Sequence, residues 1–336
     1  MQNNKFPKIN FIGNKDKLAS WICDQIPKDA ETFFDAFSGG VSVSYEAKKR
    51  GYEVIANDIL KINYYIAKSL IENKNVKLDA KDINTIFTGK PRKGFMYANH
   101  ANVHFFQEEC MELDLYRENI EKLNNPYKKT LAFVLFRRAM IRKMPYSRFT
   151  IPWDKVIQLR NEEYSYSKYK RKRAYHNLSF EEHFLTNVDL YNNAVFDNKK
   201  INKVYNKDIF TLLPKIKSDV IYIDPPYAGT MNNYFGFYNP IDEFIEQKKK
   251  LPFANNFMSK KDVYDLFDKL FSSLTNFKYW LISYNNGAYP TKTQMLELLR
   301  KYSQNVKVIE KNHNYQITGK NNKQNNIELL FIVTRG

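Results

Sequence analysis

The nine residues from Asp219 to Tyr227, Asp-Val-Ile-Tyr-Ile-Asp-Pro-Pro-Tyr, restrict the possible folds more than any other stretch of the chain. Val220 to Ile223 form a short apolar, β-branched and aromatic run, the pattern of a buried strand. That strand must stop at Asp224, because Pro225 and Pro226 have no backbone N–H to offer a sheet ladder. Each proline also holds the residue before it out of the helical region. A stiff, extended segment is therefore expected at a strand end, with a carboxylate at one side and the Tyr227 ring at the other. A planar ligand that forms hydrogen bonds along its edge and stacks through its face suits such a pair. By itself the stretch is equally compatible with a strand end that carries a capping Asp and a packing Tyr.

A second strand is expected at Thr32 to Ala36. It leads through Phe37-Ser38-Gly39-Gly40 into a helix from about Ser42 to Arg50. Strand, glycine turn and helix open a nucleotide-binding βαβ unit, in which glycines admit close approach of a ligand and the helix N-terminus offers unpaired N–H groups. The following strand, Glu53 to Ala56, ends at Asn57-Asp58, where such folds place an acid on ribose hydroxyls. Asp58 is also a plausible simple helix cap. Upstream, Asn10-Phe11-Ile12-Gly13-Asn14-Lys15 precedes a helical pattern over Leu18 to Ile26 that Pro27 ends.

The charge balance says what such a site works on. The chain has 336 residues, with 53 Lys and Arg against 36 Asp and Glu, a formal excess of +17 that favours a polyanion partner, nucleic acid first. No apolar run approaches a membrane span, and Met1 to Lys8 has no signal-peptide core, so a membrane partner drops out. Cys23 and Cys110 are the only cysteines and the five histidines show no ligand spacing. A disulfide framework or structural zinc is not expected, and a reducing interior fits.

Between about Lys74 and Lys200 strand signals fade and helical stretches such as Leu131 to Met140 alternate with charged, Asn-rich and aromatic segments. From Arg137 to Arg173 twelve Lys or Arg face three Asp or Glu, with Tyr146, Phe149, Trp153, Tyr164, Tyr166, Tyr169 and Tyr175 interleaved. Cations suit phosphates and rings suit base faces. Arg137, Arg138, Arg142, Lys143, Tyr146 and Arg148 are the expected nucleic-acid contacts, whereas Lys168 to Arg173 is expected to be a solvated face. After Ile201 the α/β rhythm resumes: a short helix through Leu213 after Asn206 to Phe210, the opening strand, a helix over Val263 to Leu274, a strand over Tyr279 to Ser283, a helix over Thr291 to Tyr302, and strands at Val306 to Glu310 and Ile327 to Val333. The last two, joined by a long polar connection, predict an antiparallel hairpin closing an otherwise parallel sheet.

Four separated matches, in this order, resemble the Dam-like, D12-class (α-group) DNA adenine-N6 methyltransferases. They are Phe11 to Lys15; Asp35-Ala36-Phe37-Ser38-Gly39-Gly40 with Asn57-Asp58; Asp224-Pro225-Pro226-Tyr227; and Ser283-Tyr284-Asn285 with Asn326 to Leu330. The resemblance implies an α/β fold, a Rossmann-like methyltransferase sheet with a mostly helical target-recognition insert. Residues 1–75 and 201–336 would be catalytic, and 76–200 the DNA-binding insert.

It further implies S-adenosylmethionine, without metal, as donor. Phe11, Gly13, Asp35, Phe37, Ser38, Gly39, Gly40, Asp58, Ile59, Asp208, Ile209 and Asp224 would form the donor site, with Asp58 on the ribose and Asp208 and Ile209 on the adenine. Asp224, Pro225, Pro226 and Tyr227 would hold an extruded target base. Lys15 and Asn285 would join the nucleic-acid contacts, Lys15 near the base or its backbone. The expected partner is double-stranded DNA, met by a cytoplasmic monomer that acts alone or beside a cognate restriction endonuclease. Methylation of cytosine N4 or RNA, and a catalytically silent binding homologue, are the alternatives. Two departures from the family pattern concern the donor: Ala36 and Val41 stand where many members have Pro and Gly, and Asn14 where many have Gly.

Overall fold

The structure, a computed structural model, describes residues 4–11, 13–170, 174–228, 234–251, 257–313 and 326–335. Ile12 of the opening motif, Arg171 to Arg173 of the basic stretch and most of the polar connection before the last strand lie outside them. The chain divides into two compact units, one of Phe11–Ile59, Asn198–Tyr234 and Phe253–Gly336, the other of Met1–Asn10, Leu60–Asp197 and Phe235–Pro252.

The first unit is built on seven strands: β1 (Thr32–Asp35), β2 (Glu53–Asn57), β3 (Lys203–Tyr205), β4 (Val220–Ile223), β5 (Tyr279–Asn285), β6 (Asn305–Asn312) and β7 (Ile327–Thr334). Their order is β3-β2-β1-β4-β5-β7-β6. The first five are parallel, and β7 pairs antiparallel with both β5 and β6. Every residue of β4 and β5 is buried, as expected of central strands covered on both faces. Trp280, Phe331, Phe34, Ile221 and Ile223 belong to the core that covers them. β3 is the element the sequence pattern did not announce. It is three residues long, and only Val204 is fully buried, too short a run to show periodicity. β5 runs two residues beyond its expected end at Ser283, because β7 continues the register through Tyr284 opposite Leu329 and Asn285 opposite Glu328.

The order of the strands decides where a ligand can sit. From β1 the chain goes to β2 on one side, and from β4 it goes to β5 on the other, so the direction of winding reverses between β1 and β4. The loops leaving the carboxyl ends of these two adjacent strands flank the crevice where open α/β sheets bind ligands. They are Phe37 to Val41 and Asp224 to Tyr227.

The second unit is helical. Its axis is the helix Pro126–Lys143, capped by Asn125 and started by Pro126 at its first position, and buried on nearly all sides. The helix Phe180–Ala194 packs along it and opens with a reciprocal Ser179–Glu182 capping box. This unit extends beyond the expected 76–200 insert, for physical reasons. The helix Lys61–Ala67 lays Tyr65 on Phe133, with ring centroids 5.5 Å apart. Its first N–H groups, those of Lys61 and Ile62, donate to the Asp242 carboxylate at 2.9 and 2.8 Å. Phe244 closes on Phe133 and Phe136. Among the described residues, no helix is long and apolar enough to cross a membrane.

Candidate active site

Asp224 stands at the end of β4, where the two prolines end the ladder. Its side chain is 16% exposed, while Pro225 beside it is buried. The Tyr227 hydroxyl donates to Asp224 Oδ1 at 2.6 Å, which turns the tetrapeptide back on itself. The ring of Tyr227 meets Tyr284 of β5 edge-on at 5.3 Å, and an isolated bridge from Ala228 to Tyr289 anchors the chain just beyond. Asp224, Pro225, Pro226 and Tyr227 thus form one half-buried wall with a carboxylate and an aromatic face.

Lys15 reaches the tetrapeptide from the opening motif. It is 3% exposed, with Nζ 3.0 Å from the Tyr227 hydroxyl, 3.4 Å from Asp224 Oδ1 and 2.8 Å from Glu328 Oε1. Its ammonium is committed to the wall of Asp224 and Tyr227, the residues expected to hold the base. Glu328, fully buried on β7, is a member of the cluster to which the sequence assigned no role. The available signal was an acid within the apolar strand Ile327 to Val333. Burial pushes the Asp224 carboxyl up to about 6; Lys15 lowers it and Glu328 raises it.

The neighbouring loop carries a second group of acids. Asp35 at the end of β1 is 1% exposed and accepts from Ser44 Oγ at 2.5 Å through Oδ2. Its other oxygen, Oδ1, and the buried Ser38 hydroxyl have no hydrogen-bond partner among the described residues. Burial, with the negative charges of Asp224 and Asp58, pushes Asp35 up to about 7 against the lowering effect of the Ser44 hydrogen bond. Asp58 Oδ2 accepts from the Gly39 N–H at 2.8 Å, so one oxygen of this acid braces the loop. Asn57, given no role of its own from sequence, ties the loop to its neighbours by donating to the carbonyls of Ala36 and Lys207.

Gly39 has a left-handed φ of 49°, and a Cβ built there would lie 2.8 Å from Phe11 Cε1. This brings Phe11 of the opening motif against the Gly39-Gly40 turn. Gly13 also has a left-handed φ, of 80°, with open space where a Cβ would stand. Val41, the position where the family pattern favours glycine, has φ 58°, an outlier for a β-branched residue. Phe37 meets Phe257 edge-on at 5.4 Å.

The remaining expected donor contacts separate. Asp208 is half-buried and caps the short helix after it through Phe210 N–H. Ile209 is 4% exposed and packs in the hydrophobic core, whereas Ile59 is 38% exposed.

Several expected nucleic-acid contacts lie buried among partners within the protein. Arg137, 0% exposed, donates through Nη2 to the carbonyl of Asn10 at 2.6 Å. Arg138 is buried too, and donates to Asn187 Oδ1, the Lys8 carbonyl and Asn10 Oδ1. Lys143 is buried between the Leu178 carbonyl and Glu109. These three cations fasten the helical unit together rather than face a polyanion. Asn285 is 6% exposed, and its Oδ1 accepts from the Gly287 N–H at 2.8 Å, a turn-capping role. Of the basic stretch, Arg142 and Arg148 are half-buried, lying over the rings of Tyr175 and Phe237. Tyr146 is 49% exposed in a turn where it and Ser147 both have left-handed backbones, φ 56° and 58°.

Comparison with known proteins agrees with this arrangement. The pattern of the D12 class N6 adenine-specific DNA methyltransferases matches residues 11–317. The chain is similar to the Type II methyltransferase M2.HphI of Haemophilus parahaemolyticus, 57% identical over 99% of each chain. It is also similar to the Type II methyltransferase M.CviAII of Paramecium bursaria Chlorella virus 1, 25% identical over 91% of this chain and 92% of the relative. A third likeness, to the Type II methyltransferase M.FokI of Planomicrobium okeanokoites, is 24% identical over 88% of this chain and 47% of that longer protein. A carboxylate and an aromatic face at the end of β4, a tight glycine turn braced by an acid at the end of β1, and a match across nearly the whole chain identify this protein as a member of the D12 class N6 adenine-specific DNA methyltransferases.

Proposed function

We propose that the wall from Asp224 to Tyr227 holds an adenine extruded from double-stranded DNA and aims its N6 amine at the methyl group of S-adenosylmethionine. The observation that carries this reading is Asp224 Oδ1, a half-buried acceptor beside the Tyr227 ring at the switch point of the sheet. An adenine within a duplex cannot reach a donor, so it has to leave the stack, at a cost of a few kcal/mol. Tyr227 stacks on the base, and its hydroxyl gives up Asp224 Oδ1 to the amine. The Asp224 carboxylate and the Pro225 carbonyl accept the two N–H bonds, which localises the nitrogen lone pair in one direction.

The residues present fit the donor. Its ammonium and sulfonium are cationic, and Asp35, Asp58 and Asp224 supply negative charge around the glycine turn. The partnerless Asp35 Oδ1 and Ser38 hydroxyl are buried polar atoms that such a ligand would satisfy. Phe11, Phe37 and Asp208 complete the set proposed to hold it. When bound, it supplies a methyl carbon to which the amine lone pair bonds as the carbon–sulfur bond breaks and its electron pair stays on sulfur. The methylated nitrogen then sheds a proton, which Asp224 accepts and passes to solvent across its exposed edge. Orientation and charge do the work, with no metal step in the sequence.

For DNA contact we propose Arg142, Arg148 and Tyr146 of the helical unit. Consecutive left-handed residues at Tyr146 and Ser147 hold an exposed ring on a strained turn, the kind of outlier found at ligand clamps. The unit would then read the target sequence. We also propose that the chain is the modification partner of a restriction endonuclease, a reading supported by the names of its relatives, and that it acts as a cytoplasmic monomer. Modification-sensitive sequencing of host DNA should report N6-methyladenine in one short context, and methylated cytosine instead would overturn the base assignment. Asp224→Ala should abolish tritiated-methyl transfer while leaving DNA binding intact; retained turnover would refute the role of that carboxylate.

A further inference from the structure

Lys15, Asp224, Tyr227 and Glu328 form one buried cluster drawn from the opening motif, the end of β4 and β7. The reaction as proposed uses Asp224 and Tyr227 and leaves Glu328 without employment. A carboxylate at 0% exposure in an apolar strand is costly to keep, and a buried ion pair is weak evidence of stabilisation. The geometry is also uneven. One ammonium faces two carboxylates and stands closer to the remote one, 2.8 Å from Glu328 against 3.4 Å from Asp224.

We infer that Glu328 is a positioning residue for methyl transfer: it anchors the Lys15 ammonium away from Asp224 Oδ1, so that the Tyr227 hydroxyl alone has to yield this oxygen to the target amine. This rests on Asp224 as the amine orienter. With Glu328 neutral, Asp224 becomes the nearest counterion of Lys15, the ammonium closes on Oδ1, and its N–H groups compete with the amine for the same lone pairs. With Glu328 charged, Lys15 still donates to the Tyr227 hydroxyl at 3.0 Å and so helps to hold the ring that meets the base. Glu328 touches neither base nor donor in this account and acts through Lys15.

The charges facing Asp224 make the inference testable by pH. The titratable groups around this carboxylate are Lys15 and Tyr227 beside it, Glu328 from β7, Tyr222 within β4 and Asp35 at the end of β1, and Lys15 in turn acts on His313 just beyond β6. Glu328 raises the Asp224 carboxyl and Lys15 lowers it, so removing one or the other must move it in opposite directions.

The experiment is single-turnover tritiated-methyl transfer, at saturating DNA and donor, across the acidic to neutral range. Wild type, Glu328→Gln, Glu328→Asp and Lys15→Gln are compared. Glu328→Gln should slow transfer roughly tenfold to a hundredfold at neutral pH. DNA and donor dissociation constants should not change, and the acid limb should move to lower pH. Lys15→Gln should move that limb to higher pH, and Glu328→Asp, which keeps the charge, should recover part of the rate. A Glu328→Gln rate and acid limb equal to wild type would overturn the inference, as would limbs that move in the same direction or losses that merely track the folded fraction. Should Glu328→Gln fail to fold, an unmoved limb in Lys15→Gln together with wild-type rates in Glu328→Asp would overturn it. Failure of the underlying reading looks different: Asp224→Ala would then keep its turnover.

Discussion

Lys15 and Arg137 are both buried cations, 3% and 0% exposed, and both follow sequence motifs expected to contact nucleic acid. Their partners separate them. Arg137 donates to the neutral carbonyl of Asn10 and Arg138 to a carbonyl and two amides, while Lys143 bonds the Leu178 carbonyl and the Glu109 carboxylate, itself held by Arg160. Lys15 faces two carboxylates and a phenol, and one of those carboxylates is still partly open to solvent. A buried guanidinium that satisfies backbone carbonyls ties segments of the chain together. A buried ammonium among acids alters how a carboxylate oxygen at the proposed site bonds and titrates. Cationic character is thus shared by scaffold and site, and the identity of the acceptors tells them apart.

The comparison breaks most visibly at Arg137. Arg137→Ala should lower unfolding stability by about 3 kcal/mol, from lost packing and an orphaned carbonyl. Its DNA affinity per folded molecule should stay near wild type, and denaturant unfolding with a parallel DNA titration checks both. The opposite pattern, intact stability and lost affinity, would return Arg137 to the DNA contacts. On the site side, Gly39→Ala meets a left-handed backbone worth about 1–2 kcal/mol in strain and the Phe11 ring. Calorimetry should show donor affinity falling at least tenfold with DNA affinity preserved.

A titration sharpens the contrast further. Asp224 must be ionised to accept from the amine, and its carboxyl sits near 6. Single-turnover rates should therefore be flat above that pH and fall roughly tenfold per unit below it. No such limb should arise from the Arg137 cluster. The smallest effect belongs to Arg148. Its replacement by Ala should weaken DNA binding by about 1 kcal/mol and reduce the salt slope by about one unit, with stability within about 0.5 kcal/mol of wild type. Unchanged affinity at several salt concentrations would remove it from the interface.

Much of the sheet unit was legible from local patterns. Val220 to Ile223 had to be a strand and Pro225-Pro226 had to end it, because apolar runs and proline act on the backbone where they stand. The glycine turn after β1 declared itself for the same reason. Lys203 to Tyr205 did not, since three residues with one fully buried position carry no period. Nor did the boundary of the helical unit. Tyr65, Asp242 and Phe244 join it through contacts with partners far away along the chain.

The sequence by itself determined the family, the reaction class and the tetrapeptide at the end of β4 proposed to face the base, since these rest on short contiguous motifs whose conformations are locally dictated. Only the tertiary structure decided which charges serve the site. Whether a lysine or arginine meets solvent, a carbonyl or a carboxylate depends on chain segments brought together from a distance. Lys15 and Glu328 lie more than 300 positions apart in sequence and 2.8 Å apart in space.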